Sequence, residues 1–204
     1  MTYLDANGLD LLSIGLHTLS MRLRSLTLSH IRISKALFWP LPENSIRSPY
    51  WPNLERLQVV NMPPYNIDGS TLLGVDPPLT RSHLLFEGAY SWKWRCDRWE
   101  YIKCDDIGIL YQAMGQAARQ MPRLQRMRLS LLNYHSNMGS ESGEYLDFNR
   151  EKDARIAHLR INTQWGYQIG EEVISAWGLE GETAEQFRRT MDVTLPWYVE
   201  PRED

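Results

Sequence analysis

The sequence predicts a single α/β domain, spanning residues 1–204, in which helix–strand units stack as a short irregular leucine-rich-repeat-like solenoid. In this arrangement a parallel sheet is flanked by helices. Three observations support the prediction: one apolar spacing recurs four times, two of the four segments also agree outside the apolar positions, and apolar residues at helical spacing precede the strands. A chain of 204 residues is long enough to bury a core of its own.

The recurring spacing places apolar residues at the first, fourth and sixth positions of a segment, as in the strand of a leucine-rich repeat. The segments begin 31, 70 and 32 residues apart, and 70 is about twice a single step, as one enlarged repeat would give. We expect their fourth positions to lie on neighbouring parallel strands. The segments are Leu23-x-x-Leu26-x-Leu28, Leu54-x-x-Leu57-x-Val59, Leu124-x-x-Met127-x-Leu129 and Ile156-x-x-Leu159-x-Ile161.

The second and third segments resemble each other beyond this spacing. Trp51-Pro52-Asn53-Leu54-Glu55-Arg56-Leu57 aligns with Met121-Pro122-Arg123-Leu124-Gln125-Arg126-Met127. Each has an apolar residue and a proline before the strand, and an arginine at the same step within it. This agreement favours a true repeat over a chance match of apolar residues.

Helices are predicted before the first and third strands. Asp105 or Asp106 caps the helix before the third strand, and Pro122 ends it because proline fixes φ and restricts the preceding residue. For the first helix the expected cap is Asp5 or Asn7. The apolar stripes are Leu9, Leu12, Leu16 and Leu19 in the first helix, and Leu110, Met114, Ala117 and Met121 in the second.

Three further elements are predicted after the fourth strand. A short helix covers Glu171 to Trp177, with acidic residues in its first turn and Gly178 at its end. The capping-box spacing from Thr183 to Gln186 indicates another helix that continues through Thr190. A last strand covers residues 193–195.

Three stretches are predicted to be irregular. Most of the eleven prolines cluster between Pro40 and Pro78, which indicates an irregular insertion over residues 62–104. Residues 133–153 are polar and contain Gly139 and Gly143, which predicts a long loop that is mobile or used in binding. Residues 200–204 are expected to be a frayed tail.

Composition excludes several classes of protein. The net charge of −3 gives no field that would recruit nucleic acid. Cys96 and Cys104 are the only cysteines, too few for a disulfide-rich secreted scaffold. The start of the chain lacks the pattern of a signal peptide, and charged residues interrupt the longest apolar run, Leu9 to Leu28. We expect a cytoplasmic or nuclear protein that is a monomer by itself and does not bind membranes.

No catalytic residue, metal site or cofactor is predicted. The two cysteines lie too far apart for zinc-ligand spacing, with no histidine near either. There is no Gly-x-Ser-x-Gly elbow and no glycine-rich phosphate loop. The carboxylate pairs Asp105–Asp106 and Glu171–Glu172 are explained by helix ends. We therefore expect that the protein is not an enzyme.

Parts of the chain resemble a family of uncharacterised fungal proteins that are often described as F-box proteins with leucine-rich-repeat-like C-terminal regions. The resemblance covers about Leu23 to Ile161. It implies that the protein recognises targets for a ubiquitin-ligase assembly, in a form that lacks the F-box itself. It rests on Ala36-Leu37-Phe38-Trp39-Pro40, Tyr50-Trp51-Pro52-Asn53-Leu54-Glu55-Arg56-Leu57 and Ala117-Ala118-Arg119-Gln120-Met121-Pro122-Arg123-Leu124.

The predicted function is protein binding by outward-pointing strand residues beside an aromatic segment, Tyr90 to Tyr101. Trp, Tyr and Arg dominate binding hot spots, although Trp92 and Trp94 fit a core-facing strand better. Base stacking on this segment is disfavoured because Asp97 and Glu100 cancel two of its three positive charges. The predicted contact residues are Thr27, Gln58, Arg128, Arg160, Trp99 and Tyr101.

One alternative is a small-molecule binder or an enzyme. It would have a deep apolar pocket between the insertion at residues 62–104 and the sheet, with several convergent polar groups.

Overall fold

A six-stranded open sheet organises the computed structural model, which describes residues 10–31, 33–39, 49–62, 104–131, 145–162 and 168–199. The helices are α1 (Leu11–Ser20), α2 (Cys104–Ala118), α3 (Glu171–Trp177) and α4 (Gly181–Thr190), with a 3-10 turn at Lys35–Leu37. The strands are β1 (Ser25–Ser29), β2 (Arg56–Met62), β3 (Arg126–Leu131), β4 (Tyr145–Asn149), β5 (Ile156–Asn162) and β6 (Asp192–Pro196). The α/β class predicted from the sequence is confirmed.

The strands lie in the sheet in their order along the chain. β1, β2 and β3 are parallel, whereas β3–β4, β4–β5 and β5–β6 are antiparallel pairs. The prediction of a parallel sheet is therefore correct for its first half and wrong for its second half. β5 runs in the same direction as β3, but β4 lies between them, so Leu159 is two strands away from Met127.

The strand β4 lies inside the stretch 133–153 that was predicted to be a loop, and that prediction is wrong for residues 145–149. Leu146 and Phe148 are buried there, and they alternate with the more exposed Tyr145 and Asp147. The polar and glycine-rich sequence around this short alternation obscured it. Its pairing with β3 and β5 supplies the hydrogen bonds that a loop would have left to water.

Alternate residues of every strand form the core face of the sheet. One continuous row crosses all six strands in register, and a second row lies beside it. A shift of one residue in any strand would move its whole apolar set to the other face. The first row is Leu26, Leu57, Met127, Phe148, Leu159 and Val193; the second, over five strands, is Leu28, Val59, Leu129, Leu146 and Ile161.

The helix α1 exists as predicted, but its buried face is polar. Leu11 and Leu19 are 54% and 48% exposed, whereas Ser13, His17 and Ser20 are buried. Of the predicted leucine stripe, Leu12 and Leu16 are partly buried, with Leu16 packed against the core, whereas Leu19 is exposed and Leu9 lies outside the described residues. The stripe is therefore wrong as a core face at Leu19. The cap is Asp10 and not Asp5 or Asn7, because its carboxylate accepts from the backbone N–H of Ser13 at 3.0 Å.

Hydrogen bonds explain why polar side chains are tolerated under α1. The hydroxyl of Ser13 donates to Asp10 Oδ2 and accepts from the backbone N–H of Ser34. The indole Nε1 of Trp51 donates to Ser20 Oγ at 2.6 Å. Because buried polar groups stabilise a fold only when they are paired, this network fixes α1 against Ser34 at the start of the 3-10 turn and against Trp51.

His17 lies at the centre of this network. Its Nδ1 is 3.0 Å from the carbonyl oxygen of Leu37, which can only accept, so Nδ1 donates. The ring meets Trp51 edge-on, with centroids 5.0 Å apart. Desolvation lowers the pKa of His17, and the hydrogen bond to Leu37 offsets part of that effect. The neutral ring is therefore the form that fits the fold.

The helices α2 and α3 approach each other closely at Gly115. A Cβ added there would lie 2.9 Å from the backbone carbon of Ala176 and 2.9 Å from the indole of Trp177. The indole Nε1 of Trp177 donates to the carbonyl oxygen of Tyr111 at 3.1 Å, and its ring stacks on Phe148 of β4. Trp177 therefore joins the helix pair to the sheet.

The C-terminal elements follow the sequence prediction with one change. α3 has the predicted bounds and ends at Gly178, whose φ of 67° is in the left-handed region. α4 ends at Thr190 as predicted, but its capping box uses Glu180 and Thr183, one turn earlier than Thr183 and Gln186. The strand β6 contains the predicted residues 193–195.

The remaining irregular stretches fall largely outside the described residues. Met62 belongs to β2 and Cys104 to α2, and residues 63–103 and 200–204 are not described. The predicted caps Asp105 and Asp106 lie in α2, but their side chains are not described. Pro122 lies beyond the end of α2, as the prediction of a stop there requires. The helix already ends at Ala118, so Met121 is buried after the helix and the prediction that it belongs to the helical stripe is wrong.

The buried His17 predicts a loss of stability in mild acid. Its lowered pKa means that the unfolded chain binds the proton more readily than the folded chain. Stability is therefore fully present above the ordinary histidine pKa and falls as the pH drops below about 6.5, with a slope of up to ~1.4 kcal/mol per pH unit. Urea unfolding at pH 5.5 and 7.5 measures this slope. His17→Asn should reduce it, because the amide does not titrate; equal slopes in the two proteins would contradict the prediction.

Two glycines in helices give a matched pair of alanine substitutions with opposite expected signs. Gly15→Ala in α1 should raise the free energy of unfolding by about 0.5–1 kcal/mol, because its Cβ would meet no atom within 4 Å. Gly115→Ala should lower it by about 1–3 kcal/mol, because the crowding against Trp177 outweighs the gain in helix propensity. Chemical denaturation of both variants tests the close approach of α2 and α3; a more stable Gly115→Ala variant would argue against it.

Candidate partner-binding face

The face of the sheet opposite the core carries the residues that alternate with the buried rows. Its central row runs across all six strands in register. All six side chains are exposed or partly exposed. We call this surface the open face, and its central row is Thr27, Gln58, Arg128, Asp147, Arg160 and Asp192.

Four of the six residues predicted to bind a partner lie in this one row. Thr27 pairs with Gln58, and Gln58 pairs with Arg128. Arg160 lies two strands from Arg128, with Asp147 of β4 between them. The structure brings these residues together on one side of the sheet, as their positions between apolar residues indicated. Trp99 and Tyr101 lie outside the described residues.

The neighbouring row adds more positive charge to the open face. Arg56 of β2 is the register partner of Arg126 of β3. Arg128 is two residues further along β3, so its side chain lies on the same face as that of Arg126. Arg56, Arg126 and Arg128 thus occupy neighbouring positions on one face of two regular strands. Like charges on facing positions repel, so this cluster costs the isolated domain stability.

Two aspartates compensate part of this charge. Arg126 Nε is 3.7 Å from Asp147 Oδ1, too far for a hydrogen bond. Asp192 is 2.7 Å from His158 Nε2 and 3.9 Å from Arg160 Nε. The four arginines of the two rows therefore outnumber the two aspartates. Arg128 has no ion pair among the described residues, and its buried Nε has no hydrogen-bond partner there.

An aromatic ring lies between two of the guanidinium groups. The guanidinium carbon of Arg128 is 5.2 Å from the centroid of the Tyr145 ring, and that of Arg160 is 6.0 Å away. These distances fit cation–π contacts, which hold long side chains in place. The result is an ordered patch of two arginines and one tyrosine, with Asp147 beside it.

Sequence reasoning missed five residues of the open face. Arg56 and Arg126 occupy equivalent positions in the two similar segments, but the sequence analysis did not assign them to a surface. Tyr145 and Asp147 were placed in a predicted loop. Asp192 precedes the predicted last strand and gave no signal by itself, because its role depends on pairing with β5.

The structure also bears on sites of other kinds. A cleft of about 610 Å³ lies between α2 and α3 on the helical side, and its lining includes Gln112, Gln116, Glu171 and Glu172. The pocket predicted beside the insertion 62–104 falls largely outside the described residues. In the part of the chain that the structure describes, no three His, Cys, Asp or Glu side chains form a candidate metal site. No described helix is long and apolar enough to cross a bilayer.

Comparison with known proteins gives one partial match. Residues 99–193 are similar to a family of unknown function (DUF6546). The matched stretch contains α2, β3, β4, β5, α3 and α4, and therefore the patch of Arg128, Tyr145 and Arg160. No curated protein and no solved structure matches the chain.

The crowded arginines predict a stabilising substitution. Arg56→Gln should raise the free energy of unfolding by roughly 0.2–1 kcal/mol, the size of interactions between exposed charges, because it removes the charge that faces Arg126. Urea unfolding at low salt measures the gain, which should shrink at high salt as the charges are screened. Arg56→Lys is the control, since it keeps the charge. A destabilised Arg56→Gln protein at low salt would show that the repulsion is negligible.

Proposed function

We propose that this chain is a protein-interaction module that holds its partner against the open face of the sheet. The observation that carries the proposal is the patch of Arg128, Tyr145 and Arg160, which regular strands hold in place. Arginine and tyrosine are enriched among residues that dominate binding energy, and a preformed patch loses little conformational entropy on binding.

The charge pattern of the open face favours a protein over a nucleic acid. Asp147 and Asp192 stand in the same row as Arg128 and Arg160. These carboxylates would repel a phosphate backbone that ran along the row, whereas a protein can place a basic group opposite each of them. The net charge of −3 also gives no long-range attraction for a polyanion.

We also propose that β1, β2 and β3 with their preceding segments are leucine-rich-repeat-like units. The backbone contacts at the strand starts repeat from unit to unit: Glu55 N and Arg56 N donate to the carbonyl oxygen of Arg24, and Gln125 N and Arg126 N donate to that of Glu55. Asn53 and Arg123, which occupy the same position in two similar segments, are hydrogen-bonded to each other. Such equivalent contacts are what stacked repeats produce.

A more specific role follows only from the fungal-family resemblance. In this role the module presents target proteins to a ubiquitin-ligase assembly, and the target binds to the open face. Recovery of ligase subunits with the full chain tests this role separately from binding itself.

The proposal predicts that removing two arginines abolishes partner capture without unfolding the domain. Arg128→Ala combined with Arg160→Ala should reduce the recovery of cross-linked partners at least tenfold, since hot-spot residues each contribute about 2 kcal/mol or more. The measurement is quantitative mass spectrometry of proteins captured by the wild-type and variant chains in parallel. Circular dichroism and thermal unfolding confirm that the variant is folded.

The matched control removes the same charge elsewhere. Arg22 and Arg189 are exposed and lie outside the open face, so the double substitution Arg22→Ala with Arg189→Ala should leave capture unchanged. If partners bind the Arg128→Ala, Arg160→Ala variant as well as they bind the wild-type chain, the open face is not the binding surface. Equal losses in both double variants would show that the attraction is a general charge effect.

A further inference from the structure

A second surface of the molecule has the features of a built binding site. It is a cleft of about 440 Å³ at the end of the sheet where β2 and β3 begin and where β4 and β6 end. It lies apart from the patch of Arg128, Tyr145 and Arg160, none of which lines it. Its lining includes Tyr50, Asn53, Arg150, Arg155, Trp197 and Tyr198.

Trp197 is one of the residues that line this cleft, and it has an unused hydrogen-bond donor. Its side chain is only 4% exposed, and its indole Nε1 is buried without an acceptor among the described residues. The ring is held by Phe148 at 4.7 Å and by Trp177 at 6.1 Å, while the backbone N–H donates to the carbonyl oxygen of Arg155. A fixed, buried indole N–H without an acceptor is costly, so an acceptor from outside would stabilise it.

Arg150 brings a second donor to the same lining. Its Nη2 donates to the carbonyl oxygen of Pro122 at 2.9 Å, which fixes the guanidinium, while its buried Nε has no acceptor among the described residues. Burial lowers the pKa of Arg150, and the charge of Asp153 offsets part of this effect. The group still remains cationic, because a free guanidinium titrates far above neutral pH. A fixed cation with an unused N–H suits an anionic acceptor.

The surroundings of the cleft are cationic and partly apolar. A second cleft of about 440 Å³ shares Pro122, Arg123, Arg150 and Asp153 with the first and adds further charged residues. Arg155 extends over the ring of Tyr198, 6.0 Å from its centroid. Across both clefts the cations outnumber the two acids, Glu55 and Asp153; the cations are Arg24, Arg123, Arg150, Lys152 and Arg155.

We propose that this cleft binds a small organic anion, a carboxylate attached to an aromatic or apolar body. The carboxylate accepts from the free N–H groups of Arg150 and Trp197. The body lies on the apolar part of the lining, formed by Pro52, Tyr198 and Val199. This site is independent of the proposed function, since it uses neither Arg128 nor Arg160.

Titration of the full chain with benzoate, followed by NMR of the indole N–H groups, tests the proposal. The resonance missing from Trp197→Phe identifies the indole of Trp197. This resonance should move downfield as benzoate is added and should saturate. Acetate and inorganic phosphate should bind at least tenfold more weakly because they lack an aromatic or apolar group attached to the anion. Arg150→Gln should weaken benzoate binding at least tenfold, and Arg128→Ala with Arg160→Ala should leave it unchanged.

Three outcomes would overturn the proposal. One is an indole resonance of Trp197 that stays fixed up to tens of millimolar benzoate. Another is equal affinity for phosphate and benzoate, which would indicate an inorganic-anion site instead. The third is a shift of this resonance when residues 200–204 are deleted and no benzoate is present. Such a shift would show that those residues supply the acceptor for the indole N–H. If Arg150→Gln does not fold, Arg155→Gln serves in its place and should weaken benzoate binding several-fold.

Discussion

The rest of the structure depends on the register of the six strands. One apolar row, from Leu26 on β1 to Val193 on β6, crosses the whole sheet and sets every strand relative to its neighbours. Because side chains alternate along a strand, the same register that buries this row also places Thr27, Gln58, Arg128, Asp147, Arg160 and Asp192 in one line on the other side. The core and the candidate binding face are thus two results of a single constraint.

The open face and the cleft differ in how their arginines are held. On the open face Arg128 is positioned by the ring of Tyr145 and by the strands themselves, and it stays partly exposed. In the cleft Arg150 is fixed by the carbonyl of Pro122, and Trp197 is fixed by its aromatic neighbours. The first arrangement suits a large surface that meets another protein, while the second suits a small molecule that must satisfy buried donors. Both carry unbalanced positive charge in a chain whose net charge is −3, so other parts of the chain carry the excess negative charge.

The helices use two kinds of packing to reach the sheet. α2 and α3 meet through close backbone approach at Gly115, and the indole of Trp177 bridges from this contact to Phe148. α1 instead presents serines and His17 to its neighbours and leaves Leu11 and Leu19 in solvent. That inversion is possible because the buried side chains of Ser13, His17 and Ser20 are hydrogen-bonded to Ser34, Leu37 and Trp51 respectively. Hydrophobic periodicity alone does not reveal it, since the partners lie up to 31 residues away.

The sequence by itself determined the α/β class, five of the six strands, the bounds of α3 and the position of Arg128 and Arg160 on the face opposite the apolar strand residues. These features depend on local alternation, helical spacing and a glycine stop, which a short stretch of chain carries within itself. Only the tertiary structure decided that Tyr145–Asn149 is a strand, that the second half of the sheet is antiparallel, and that α1 buries its polar side. The site residues divide in the same way: Arg128 and Arg160 followed from strand alternation, whereas Tyr145, Asp147 and the cleft around Trp197 did not. The physical reason is that each of these outcomes depends on which distant segment supplies a hydrogen bond, a ring or a charge, and that information is not local to the sequence.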